Sequence, residues 1–137
     1  VVANKGKGQV SVRDFSRSKA PALPYQKIAQ KVLPSWDISL VFVGETRAKK
    51  LNQQLRNKDY VPNVLSYVTD DGKHTKEKSG EIIICLAVAK RQAPSYDLSY
   101  RKFVAYLFIH GLLHLEGQRH GSTMELQEKR LLSQLLL

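Results

Sequence analysis

The alternation of apolar and polar positions gives the first elements. Val10 and Val12 stand between polar neighbours and Phe15 follows Arg13-Asp14, so Gln9 to Phe15 is expected to be a short strand. From Pro24 to Leu33, Ile28, Ala29, Val32 and Leu33 recur at helical spacing, with Pro34 as the stop. Asp37 to Val43 is rich in β-branched and aromatic residues and ends at Gly44, which reads as a strand. Glu45 to Arg56 returns to helix, with Ala48, Leu51 and Leu55 on one stripe and a basic outer face. Val64 to Val68 reads as a strand, and Thr69 to Ser79 as a polar connection. Glu81 to Leu86 is a continuous apolar run, expected of a strand covered on both faces. A helix over Ala87 to Gln92 is broken by Pro94. Longer helices are expected over Leu98 to Leu115 and Ser122 to Leu136, the last opened by a Ser122/Glu125 capping box.

This order predicts an α+β fold: a mixed, partly parallel sheet of about four strands with helices packed on it. The Thr69–Ser79 connection predicts that the last two strands pair antiparallel. No repeat, low-complexity tract or Pro/Gly/Ser-rich linker divides the chain, so residues 1–137 are expected to form a single domain.

Composition changes the picture in two places. Lys+Arg 22 against Asp+Glu 12 gives a formal charge of +10, which favours an anionic partner, with nucleic acid the first candidate. A lone cysteine, Cys85, allows no internal disulfide; within an apolar run it reads as a small buried hydrophobe, as expected in a reducing cytoplasm. No apolar run reaches the roughly 20 residues of a membrane span, and Val1 to Gln9 lacks the apolar stretch of a signal peptide.

Three of the four histidines lie between His110 and His120, in the segment FIHGLLHLEGQRH. His110 and His114 are four apart, so on a helix their imidazoles share one face. Gly117 follows where a helix can end in a left-handed turn, and the reversed chain can return His120 to the same point. A single histidine on this stripe, continuous with Phe103 and Leu107, would read as a core residue. Three with a glycine at the turn read as a metal site, most simply for Zn2+, with Ni2+ and other transition metals also suited to imidazole. Three protein nitrogens leave a position open, which is the catalytic rather than the structural pattern. His74, in the lysine-rich loop, is expected to face solvent.

The spacing H-x3-H-x2-G-x2-H is also that of metzincin peptidases, which carry Glu directly after the first histidine as general base. Here that position is Gly111. Glu116 is no substitute, since two residues after His114 it turns about 200° away from the metal face. A metallopeptidase reading is therefore disfavoured.

The chain resembles the YbeY endoribonuclease family, whose mark is a His-Gly-x-Leu-His-Leu-x-Gly-x-x-His run matched by His110 to His120. Leu51-Asn52, Arg56, Lys58-Asp59 and Val64-Leu65-Ser66-Tyr67 are similar to a second block of the family, and Gly80-Glu81-Ile82 to a third. Two departures stand out: Arg119 where the family has Asp before the third histidine, and Pro62-Asn63 where it has Thr-Asp.

The resemblance implies a metal-dependent, single-strand-directed endoribonuclease of the cytoplasm. It further implies work on ribosomal RNA precursors at the 3′ end of small-subunit RNA, and in quality control, with the ribosome or ribosomal proteins as partners and no membrane. It gives His110, His114 and His120 as metal ligands, and His114 and Arg56 as catalytic residues. Asn63 and Ser66 are expected to line the same cleft as substrate-binding residues or, equally, to serve a structural role at a strand end, and Lys58, beside the second helix, to bind substrate through its phosphates. By its sequence position alone, Arg56 reads first as a solvated cation at a helix C-terminus, favourable to the helix dipole; the resemblance reverses that reading. Tyr60 and Tyr67 can stack an unpaired base, although packing in the core or at a rim is the first expectation for each. The competing reading is a non-enzymatic, metal-stabilised RNA- or ribosome-binding factor.

Overall fold

The computed structural model describes residues 8–136; most of the stretch Val1 to Gln9, read above for a signal peptide, lies outside them. Four strands, β1 (Val10–Asp14), β2 (Trp36–Val43), β3 (Val64–Asp71) and β4 (Lys78–Cys85), form one sheet in the order β1-β2-β4-β3. β1 and β4 flank β2 in parallel, and β3 pairs antiparallel with β4 at the edge. The helices are α1 (Tyr25–Val32), α2 (Glu45–Arg56), α3 (Leu86–Gln92), α4 (Tyr100–Glu116) and α5 (Ser122–Leu136), with a 3-10 turn at Ala93–Tyr96. The expected α+β fold with a mixed sheet is what the chain adopts.

Strict alternation along β2 and β4 explains why both read as nearly continuous apolar runs. Ile38, Leu40 and Phe42, with Ile82 and Ile84, point to one face, where they pack against Ile28 of α1, Phe103, Phe108 and Leu112 of α4, and Met124 and Leu131 of α5. Val41, Val43, Ile83 and Cys85 point to the other, under Ala48 of α2 and Val88 of α3. The sheet is thus the middle of three layers, and Cys85 is buried as expected.

Three local expectations change. The hairpin of β3 and β4 extends further than its apolar pattern, with Asp70 opposite Ser79 and Asp71 opposite Lys78, so the connection shrinks to residues 72–77. Polar bonds carry this tip: Thr69 and Ser79 hydroxyls lie 2.7 Å apart, and Asp70 accepts from the Gly72 N–H and the Thr75 hydroxyl. A ladder projecting beyond the core needs no apolar alternation. In α2, Leu55 is exposed and Asn52 is buried in its place. Finally, Ser122 is the first residue of α5 rather than its cap, since the Glu125 N–H donates to the Gly121 carbonyl; the capping box does not form.

Among the described residues no helix is long and apolar enough to cross a membrane.

Candidate metal centre and its cleft

α4 is held close to the sheet by two glycines. A Cβ at Gly80 of β4 would stand 2.7 Å from Leu115 Cδ1, and one at Gly111 of α4 would stand 3.1 Å from Ile82 Cγ2. This close approach brings the His110–His114 face of α4 alongside β3. Ser99 caps α4 by accepting from the Lys102 N–H at 3.2 Å. Gly117 ends it at φ 104°, where the Gly117 and Gln118 N–H groups donate to the His114 and Leu113 carbonyls. Gln118 then bonds the Gln127 amide oxygen of α5 at 2.6 Å, fixing the returning chain.

The reversal expected from Gly117 does bring the third histidine back. His114 Nε2 lies 3.2 Å from His110 Nε2 and 3.0 Å from His120 Nε2, and the donor atoms of the three all fall within 4.8 Å of one another. Nitrogens bound tetrahedrally at about 2.0–2.1 Å from zinc stand roughly 3.3 Å apart, so the donor set fits such an ion. His114 is held below its ordinary pKa, first by burial and then by the neighbouring imidazoles of His110 and His120. That shift favours the neutral ring, the form that ligates a metal. The group can therefore hold a metal ion.

Glu128 is the residue that sequence reading missed. It is one of two buried polar side chains among the described residues, at 1% exposure, and its Oε2 bonds His110 Nδ1. With Nδ1 engaged by the carboxylate, Nε2 of His110 is turned to the cluster, the arrangement expected of an oriented metal ligand. The buried charge also pushes Tyr106, already raised by its own burial, up to about 12. A signal was present: Met124, Glu128, Leu131 and Leu135 follow helical spacing, leaving a carboxylate on the apolar stripe of α5.

The cluster opens on a cavity of about 540 Å³ whose walls include Arg56, Tyr60, Asn63, Ser66, Tyr67 and all three histidines. Arg56, in the last turn of α2, donates from Nη1 to the Tyr60 hydroxyl at 3.1 Å. Buried Asn52 sets this wall, donating from Nδ2 to the Tyr60 carbonyl at 3.0 Å. On the strand side the Tyr67 hydroxyl donates to Glu81 at 2.5 Å; burial first and this bond second push Tyr67 up to about 12. Of the other expected substrate residues, Ser66 lines the cavity. Asn63 also lines it, but its amide donates to Gln92 of α3 at 2.9 Å. Lys58 is exposed and outside the lining, as is Arg119.

A mixed sheet backed by helices, with three converging imidazoles and an arginine lining one cleft, defines the class: an α+β protein with a three-histidine group that can hold a metal ion. A profile of the family described as Endoribonuclease YbeY matches residues 2–136, and the chain belongs to that family. Relatives named Endoribonuclease YbeY include that of Aromatoleum aromaticum, 32% identical over 128 residues covering 93% of this chain and 81% of its own. The Staphylococcus carnosus relative is 32% identical over 112 residues, 77% of this chain and 73% of its own. That of Ureaplasma urealyticum is 36% identical over 91 residues; the match spans 66% of this chain and 57% of that relative. A solution structure of a Thermotoga maritima protein shares the fold, with a TM-score of 0.63 at 20% identity over 93% of this chain and 89% of that one.

Proposed function

We propose that this protein is a metal-dependent endoribonuclease acting on unpaired RNA in the cytoplasm, with residues 1–137 as its catalytic domain. Its substrate on this reading is a ribosomal RNA precursor. The work comprises maturation of the 3′ end of small-subunit RNA and ribosome quality control, with the ribosome or ribosomal proteins as partners. The observation that carries the reading is that Arg56 and the three-histidine cluster line one cavity, within a family whose relatives are named endoribonucleases.

His110, His114 and His120 would hold the ion, with Zn2+ proposed from the imidazole donors. When bound, it supplies Lewis-acid polarisation of a phosphodiester and a nucleophile at neutral pH. The chain's own residues do the rest. Arg56 presents a guanidinium fork to the non-bridging oxygens, where negative charge grows in the transition state. Its bond to Tyr60 holds that fork at the rim. Ser66 offers a hydroxyl on the strand wall, and Glu128 keeps His110 in the ligating tautomer. A cavity of about 540 Å³ suits an extruded nucleotide rather than a duplex. Among the described residues no carboxylate lines the cleft beside the histidines as a general base, which sets this centre apart from a peptidase.

The test is incubation of the purified, zinc-loaded protein with unpaired and duplex RNA, with and without chelator, beside a His114→Ala protein. Cleavage of the unpaired RNA, abolished by chelator and by the substitution, is expected. A chelator that lowers thermal stability while no condition yields cleavage would replace this reading with that of a metal-stabilised binding factor.

A further inference from the structure

On the side of the sheet away from β3, one aromatic ring stands in the open beside two cations. Phe15 follows the last residue of β1 and is 55% exposed. The guanidinium carbon of Arg47 lies 5.0 Å from its ring centroid and that of Arg13 lies 5.8 Å away. Single exposed apolar side chains are common and need no explanation. This one differs in its setting. The Phe15 N–H donates to the Phe42 carbonyl at 2.8 Å, so the ring rises from a residue still tied into the sheet. The adjoining chain also leads into an open cavity of about 600 Å³ lined by Arg17, Lys19, Lys90 and Tyr100.

Charge around the ring is lopsided. None of Arg13, Arg17, Lys19, Arg47 and Lys90 belongs to an ion pair among the described residues. Of the nearest acids, Glu45 is taken by Arg91 at 2.8 Å, and Asp14 accepts from the Ser16 N–H and hydroxyl. α2 connects this place to the cleft. Arg47 lies in its first turn and Arg56, on the cavity wall, in its last, about 13 Å apart along the axis at roughly 1.5 Å per residue.

We propose that Phe15, Arg13 and Arg47 form an anchoring platform for an unpaired base of the RNA whose scissile phosphate lies at the metal centre, with Arg17, Lys19 and Lys90 taking the flanking phosphates. The proposal rests on the endoribonuclease reading. Stacking on an aromatic face combined with arginine contacts is how single strands are held without regard to sequence. A duplex hides its base faces, so the platform selects unpaired strands at a distance from the chemistry. Substrates long enough to span α2 gain from it, and short ones do not.

Fluorescence anisotropy of the zinc-loaded protein with unstructured 2′-O-methyl RNA tests this, using a strand of about twelve nucleotides and a dinucleotide. Phe15→Ala is expected to weaken binding of the longer strand about tenfold and leave the dinucleotide unchanged, while Phe15→Trp restores the affinity. Arg47→Gln should lower the salt slope for the longer strand by about one. Cleavage of short RNA by Phe15→Ala should match the parent, and an unchanged melting temperature confirms that the fold is intact. If the parent cleaves RNA and the longer strand binds Phe15→Ala as tightly as the parent, the platform is overturned alone. A parent protein that neither binds nor cleaves RNA overturns both the platform and the endoribonuclease reading.

Discussion

Gly111 of α4 packs face-on against Ile82 of β4, with 3.1 Å between the place of its missing Cβ and Ile82 Cγ2. The position at which a metzincin carries its catalytic glutamate thus points here into the sheet. Gly111→Glu is therefore expected to lose about 3–5 kcal/mol of stability, the scale of an uncompensated buried charge, and to gain no peptidase activity. Gly111→Ala, for which Ile82 must yield slightly while the helix gains propensity, should stay within about 1 kcal/mol of the parent. Urea unfolding of the two proteins checks both values.

The pair of His110 and Glu128 predicts an asymmetry among the ligands. His110→Ala leaves the buried carboxylate without its partner and should destabilise the metal-free protein by about 3 kcal/mol. His120→Ala, at an exposed residue, should change the metal-free protein by no more than about 0.5 kcal/mol, although it also loses the metal. Glu128→Gln should retain the three ligands but weaken zinc binding about 10–100-fold, read by competition with a chromogenic chelator.

Much of this centre was legible in the chain because its information is local. The i, i+4 histidines, Gly117 and the third histidine lie within one short segment, and the limits of α2 followed from Gly44 and the helical pattern. Glu128 was missed because its meaning depends on how α5 docks on α4, which no spacing rule states. Asn63 lines the cleft as expected, but the bond of its amide to Gln92 was not legible, since that partner is supplied by α3. Leu55, expected on the buried stripe of α2, is exposed, while Asn52 is buried and its amide holds the Tyr60 carbonyl, a partner beyond the helix that helical spacing does not reveal.

Arg56 carries the kinetic prediction. Arg56→Ala should lower kcat for unpaired RNA by about 10²–10³ with little change in KM, as for loss of a donor that acts on transition-state charge. Arg56→Lys should recover part of the rate, since lysine keeps the charge but lacks the planar fork. Steady-state cleavage assays separate the two parameters.

Tyr67 gives a pH signature. Its folded-state pKa, raised to about 12, lies above the unfolded value near 10. The stability linked to it is fully present below about pH 10 and is lost as pH rises toward 12. Glu81→Gln removes the anionic acceptor, so the Tyr67 titration should move down toward the ordinary tyrosine range while the part due to burial persists. Ultraviolet titration of the parent and variant, with Tyr67→Phe to assign the signal, tests this.

The order of the chain gives the metal centre a place in time. All four strands and the arginine wall precede His110, whereas the three ligands and Glu128 fall between residues 110 and 128. During synthesis the Arg56 side of the cleft is therefore made before any of the three histidines, and Glu128 comes after all of them. A chain halted between His120 and Glu128 would carry all three imidazoles with nothing to orient the first of them.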